Sequence, residues 1–263
     1  MSLVFAAITP HPPILIPEIG KDNLSKIDKT KTALEQLEKD LYVAKPDVLV
    51  VISPHGEINP GAFTINICDN YEINFEAFGN FSAKMNFKGE AVMMAMGKEK
   101  INSKIPLNII SEPQLDHGVG VPLYYLARHL PNIVLMPVSY SLLDSQSHLE
   151  FGKALKEIIS DSAKRVAVIA SGDLSHCLTE SAPAPFNPAG KEFDEKIIDL
   201  LRKNDSQAIV NLDQELLERA AECGYRSILI LLGILNDVNY KTEILSYEAP
   251  FGVGYLVANL KFL

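Results

Sequence analysis

Five runs of continuous apolarity stand out along the chain: LVFAAI (3–8), DVLVVIS (47–53), NIVLMPVS (132–139), RVAVIAS (165–171) and GVGYLVANL (252–260). Runs that do not alternate with polar residues predict strands covered on both faces. Between them the apolar spacing lengthens to that of a helix. Leu24, Ile27, Leu34, Leu37 and Leu41 form a one-sided stripe, and SHLEFGKALKEII opens with Ser147 and Glu150 at the spacing of a capping box. VPLYYLARHL (121–130), KEFDEKIIDLLRK (191–203), QELLERAAEC (214–223) and RSILILLGIL (226–235) add further helices. Residues 62–78 alternate instead and turn at Asp69-Asn70, which predicts a hairpin. Strands alternating with helices give an α/β fold: a single domain over 1–263, three layers αβα, with a largely parallel, mixed central sheet.

This pattern places the polar residues. Three of the strands run directly into TPHPP, SPHGE and SGDLSH, so His11, His55 and His176 fall just past the carboxyl ends of buried strands. Ligands bind at that edge in open α/β sheets. An imidazole there must find a partner: a metal ion shared among several, or, for each histidine singly, backbone carbonyls in the core. Glu248 lies just before the last strand, between Tyr247 and a stretch holding Pro250, Gly252 and Gly254. It poses the same question.

Composition narrows the classes. The 24 Lys and Arg residues are interleaved with 33 acids for a net charge of −9, which leaves no basic stripe for nucleic acid. The longest apolar run, SILILLGIL, is about half of the ~18 residues that suggest a membrane span, and the N-terminus has no basic leader, so a cytoplasmic protein is expected. Cys68, Cys177 and Cys223 are widely spaced and odd in number. They read as reduced thiols acting as small buried apolar residues.

Six blocks in order, PHPP (10–13), SPHGE (53–57), DHGVGVPL (116–123), SGDLSH (171–176), ECGYRS (222–227) and YEAPFGVGY (247–255), resemble the class III extradiol ring-cleavage dioxygenases of the catalytic subunit-B type. The pattern is similar to the branch found with Memo and radical-SAM partner proteins. The resemblance implies a non-haem Fe(II) site on His11, His55 and Glu248, with zinc another divalent metal that a purified sample could carry. It implies His176 as acid–base residue and His117 as a second pocket histidine. Memo-type relatives can carry cysteine at the position matching Glu248, where this sequence keeps glutamate.

Two imidazoles and a carboxylate on one face of an octahedral ion leave three positions open, two for the vicinal oxygens of a catechol and one for dioxygen. The implied activity is extradiol cleavage of a catechol-like or aminophenol-like ring by O2 in a homo-oligomer. The alternatives are a Memo-like metal-binding module without ring cleavage and a zinc hydrolase on the same scaffold.

Among the remaining polar residues, Asp173 either orients His176 or caps the following turn. His129 and His148 belong at helix ends on the surface, and Glu57 and Asp47 are solvated or capping. Pro12 and Pro13 fix the His11 loop or merely pack, Tyr247 closes the pocket or packs, and TESAPAPFNPAG after His176 is a lid or a surface loop.

Overall fold

The apolar runs form the middle and one flank of a single eleven-stranded sheet. The computed structural model describes residues 2–263. In chain order the strands are β1 (Leu3–Thr9), β2 (Val48–Ser53), β3 (Phe63–Asn66), β4 (Asn70–Phe75), β5 (Asn80–Gly89), β6 (Leu107–Ile110), β7 (Gln114–Leu115), β8 (Val134–Ser139), β9 (Val166–Ser171), β10 (Tyr240–Glu248) and β11 (Tyr255–Phe262). The helices are α1 (Pro17–Gly20), α2 (Asp28–Ala44), α3 (Val92–Asn102), α4 (His117–Leu126), α5 (Ser145–Asp161), α6 (Pro188–Lys203), α7 (Ser206–Val210), α8 (Gln214–Ala220) and α9 (Tyr225–Ile234). None is long and apolar enough to cross a membrane among the described residues.

The sheet runs β10-β11-β1-β9-β2-β8-β5-β4-β7, with β3 joining β8 to β6. Strands β1, β9, β2 and β8 are parallel, and β11 and β10 close one side antiparallel. All residues of β2 and β9 are buried, as continuous apolarity requires. Their side chains alternate between two cores. Val48, Val50 and Ile52 pack with α3, α5, α6 and α9, whereas Leu49 and Val51 pack with α2 and α4. The result is the expected three-layer α/β architecture.

Register fixes the functional edge. Thr9 lies opposite Ser171, and Ser53 opposite Ser139. The parallel strands therefore end level, and the loops after them emerge side by side.

One helix is placed with unusual rigidity. Every residue of α9 except Arg226 is buried, the mark of a helix enclosed by its own protein. A Cβ on Gly152 of α5 or Gly233 of α9 would strike the other helix's backbone, so these two positions must be bare for the helices to touch. The amino end of α9, with Cys223 and Gly224 ahead of it, is thereby held near the sheet edge.

Three local expectations are corrected. The 62–78 stretch is not a hairpin: β3 pairs with β6 and β8, while β4 pairs with β5 and β7. Alternation reports one buried face, not the identity of the neighbouring strand. Helix α5 is capped by Asp144, which accepts from Ser147 N at 2.7 Å, so Ser147 is inside the helix and Glu150 bonds to Gln146 and Lys153 instead. His148 is fully buried, not on the surface. Its ring nitrogens lie 2.8 Å from Asp144 O and 3.1 Å from Ser141 O, and its ring packs edge-on to Phe63. His129 does lie on the surface, paired with Glu38.

Candidate metal centre

His11 is fixed from three sides. Its backbone N–H donates to Asp173 Oδ1 at 2.9 Å, and its Nδ1 lies 3.0 Å from Ser171 Oγ. Ser171 has one hydroxyl proton and spends it on Gly118 O, 2.5 Å away. Towards His11 it can only accept, so Nδ1 carries the ring proton and Nε2 presents a bare lone pair. This is the tautomer that a metal ligand needs, set by an outer hydrogen bond.

His55 follows β2, the strand beside β9. It is exposed on one side, and its Nε2 comes within 3.0 Å of His11 Nε2. Ser53 receives the His55 backbone N–H at 3.2 Å and donates to Asp116 Oδ1 at 2.6 Å. That same oxygen caps α4 by accepting from Gly118 N and Val119 N. The His55 loop and the start of α4 are thus one unit. His117, the first residue of α4, stacks on the His55 ring with centroids 4.2 Å apart and meets His11 edge-on at 5.4 Å.

The third donor is Cys223. Its Sγ lies 3.7 Å from His11 Nε2, and backbone bonds tie Asp173 N to Cys223 Sγ and Cys223 N to Asp173 O, both at 3.3 Å. Gly172 and Gly224 make this approach possible, since a Cβ on Gly172 would collide with the Gly224 backbone. The donor atoms of His11, His55 and Cys223 all lie within 4.8 Å of one another. Tetrahedral zinc with ordinary bond lengths separates two nitrogens by about 3.3 Å and nitrogen from sulfur by about 3.6 Å. The observed 3.0 and 3.7 Å are close to these separations, and the His55–Cys223 pair, bounded only by 4.8 Å, would close on a shared ion.

Glu248 does not join this group. Its Oε1 accepts from both Thr30 N and Thr30 Oγ1 at 2.7 Å, so the carboxylate serves the first turn of α2. Glu248 ends β10, the outermost strand on its side, with β11 between it and β1. Two strand spacings, about 10 Å, lie between those backbones. Cys223, read as a small apolar residue, occupies the position beside His11 instead. Its sequence signal was its place inside the ECGYRS block, together with the affinity of thiolates for soft metals.

His176 lies at the same edge, partly buried, with Nδ1 enclosed and without a partner. Asp173 neither orients it nor caps the next turn. His176 Nε2 is 4.0 Å from Asp173 Oδ2, beyond a hydrogen bond, while the other carboxylate oxygen holds the His11 backbone. Tyr247 turns away as well, donating to Asp194 Oδ2 at 2.6 Å. The loop after His176 folds down through Leu178 N to Gly252 O and Ala184 N to His176 O.

Burial sets the charge state of the cluster. It pushes the His11 imidazole well below 6.5, with His55, His117 and His176 adding to the effect. Burial also lowers His55 against the pull of Asp116, lowers His176, and brings His117 down to about 4. All four rings are therefore neutral near pH 7, as metal binding requires. Burial holds the Cys223 thiol well above its usual value, a preference that a bound cation reverses. Asp173 is raised to about 7, again by burial.

The depressed histidines make a pH prediction. Between 6.5 and about 4 the unfolded chain binds protons that folded His117 refuses. The His117 contribution to stability therefore falls as pH drops through that window, while Asp173 and Glu222, raised to about 7, and Asp194, raised to about 6, bind protons in the folded state and act in the opposite sense. Metal-free parent protein should therefore lose more melting temperature than metal-free His117→Gln between pH 7 and 5, and equal losses would contradict it.

Residues 5–258 match the family described as the catalytic LigB subunit of aromatic ring-opening dioxygenase. A protein of Clostridium acetobutylicum is 31% identical over 99% of this chain, and the chain spans 58% of that relative's length. The beta subunit of a Pseudomonas 2-aminophenol 1,6-dioxygenase is 24% identical, with 97% of this chain and 92% of that one covered. A MEMO1 family protein of Methanosarcina mazei is 22% identical over 79% of this chain and 80% of its own. Among solved structures, an uncharacterized Escherichia coli K12 protein superposes with a TM-score of 0.68 at 17% identity, covering 98% of this chain and 99% of that chain.

Proposed function

The chain belongs to the family of catalytic LigB subunits of aromatic ring-opening dioxygenases, and on that premise we propose that it is a non-haem Fe(II) dioxygenase, cleaving a catechol-like or aminophenol-like ring next to its vicinal heteroatoms. The observation that carries this reading is the convergence of His11, His55 and Cys223 donor atoms at the carboxyl edge of the sheet. A relative over nearly the whole chain is by its name a 2-aminophenol 1,6-dioxygenase subunit.

His11 and His55 would hold the ion through Nε2 and Cys223 through its thiolate. A bound Fe(II) supplies Lewis acidity towards the vicinal oxygens and electron transfer to dioxygen. The overall step breaks one ring C–C bond and places both oxygen atoms of O2 in the product, so no external reductant is required. The chain's own part is proton handling. His176, neutral at pH 7, accepts a proton from a substrate hydroxyl and later returns it. His117, stacked on His55, would present a second histidine face to the substrate.

Ser171 sets the His11 tautomer, so Ser171→Ala should weaken metal affinity by roughly 10- to 100-fold with the fold intact. Competition with a chromophoric chelator measures this, and unchanged affinity would remove Ser171 from the site. The cysteines are free thiols, which supports a reducing, cytoplasmic setting. The same reading includes a homo-oligomer, which light scattering tests.

The thiol in place of a carboxylate favours a second reading, a Memo-like metal-binding protein without ring cleavage. Anaerobic reconstitution with Fe(II), then oxygen uptake across catechols and aminophenols, separates the two. Turnover supports the dioxygenase; tight metal binding without oxygen uptake on any compound supports the alternative.

A further inference from the structure

Phe78 belongs to neither apolar core, yet its ring meets that of His117 at a centroid distance of 5.0 Å and an interplanar angle of 67°. That separation lies within the ~4.5–7 Å of edge-to-face aromatic contact. His117 in turn stacks on His55, with centroids 4.2 Å apart and planes inclined by 26°. The three rings make a row. It starts at an imidazole of the metal centre and ends at an apolar side chain.

The turn that carries Phe78 is held without help from that side chain. Glu76–Phe78 form a single 3-10 turn between β4 and β5, and Gly79, at φ +79°, closes it by donating its N–H to Glu76 O at 3.0 Å. On the two sides of the turn, Asn74 Oδ1 accepts from Glu76 N at 3.1 Å, and Asn80 Oδ1 accepts from Ser82 N at 2.9 Å and Ala83 N at 3.0 Å. Phe75, fully buried, anchors the turn on α4, where a Cβ on Gly120 would meet the Phe75 ring at 3.2 Å. Helix α4 begins with His117. Phe78 is left 39% exposed beside that histidine, so it keeps apolar surface in water that a ring bound at the metal centre would cover.

We propose that Phe78 selects for an aromatic ring at the metal centre, its exposed side forming the apolar wall against which the substrate's ring lies. The proposal rests on the reading of His11, His55 and Cys223 as a metal site open to substrate. Through Phe78 the site discriminates between ligands that present the same donor atoms but differ in what stands behind them. A contact between two aromatic rings is worth roughly 2- to 10-fold in affinity beyond the area it buries.

The test uses Zn(II)-loaded protein. Calorimetric titration compares benzohydroxamate with acetohydroxamate, which offer the metal the same two oxygens and differ in the ring. Benzohydroxamate should bind the parent more tightly. Phe78→Ala should cut that preference roughly 2- to 10-fold while acetohydroxamate affinity and metal content stay parental. Phe78→Tyr retains the ring and should retain the preference. A preference that survives Phe78→Ala unchanged leaves the metal site standing and overturns the role of Phe78. An equal fall in both affinities also overturns it, because Phe78 would then only prop His117. If acetohydroxamate does not bind the parent protein at all, the open metal site is refuted and the ring wall falls with it.

Discussion

A His11→Ala protein is expected to leave a desalting column without metal. His11 Nε2 is the atom that both His55 Nε2 and Cys223 Sγ face, at 3.0 and 3.7 Å, so its loss removes the centre of the donor set. The deficit should exceed the roughly 100-fold produced by losing an outer hydrogen bond. Cys223→Ala should do the same, because two imidazoles alone leave the ion with too few protein donors.

Glu248→Ala provides the contrast. It should leave metal content unchanged and lower stability by about 1 kcal/mol, since its carboxylate satisfies an otherwise orphaned N–H in the first turn of α2. Elemental analysis with denaturant melts on the three variants decides the matter. Metal lost from Glu248→Ala but retained by Cys223→Ala would restore the two-histidine, one-carboxylate site and refute the assignment made from geometry.

His176→Ala should give the second large effect, a fall in turnover of roughly 10²- to 10⁴-fold at parental metal content. The residue lies near the donor cluster without belonging to it, and its enclosed Nδ1 has no protein partner. Single-turnover rates on iron-loaded protein, measured beside metal content, check this. If the variant also lost its metal, His176 would be a ligand and the division between holding and proton transfer would be wrong.

Much of the fold was legible because burial on both faces leaves a local trace. VLVVIS and VAVIAS could be read as central strands without knowing their neighbours. The partners of β3 were not legible, since FTIN carries the same alternation whether it pairs with β4 or with β6 and β8. His148 shows the same limit. Its position early in a helix suggested solvent, but the packing of Phe63 and two backbone carbonyls decided otherwise.

The sequence by itself determined the layered α/β architecture and the edge on which His11, His55 and His176 emerge, because strand character and loop position are written in neighbouring residues. Only the tertiary structure decided that Cys223, not Glu248, meets those histidines. That choice depends on the bare contact of Gly152 with Gly233, which seats α9, and of Gly172 with Gly224, which brings its leading turn against the β9 loop. It depends equally on β10 being an outer strand. Contacts between residues 52 to 212 positions apart have no local pattern, so no reading of spacing along the chain could have supplied them.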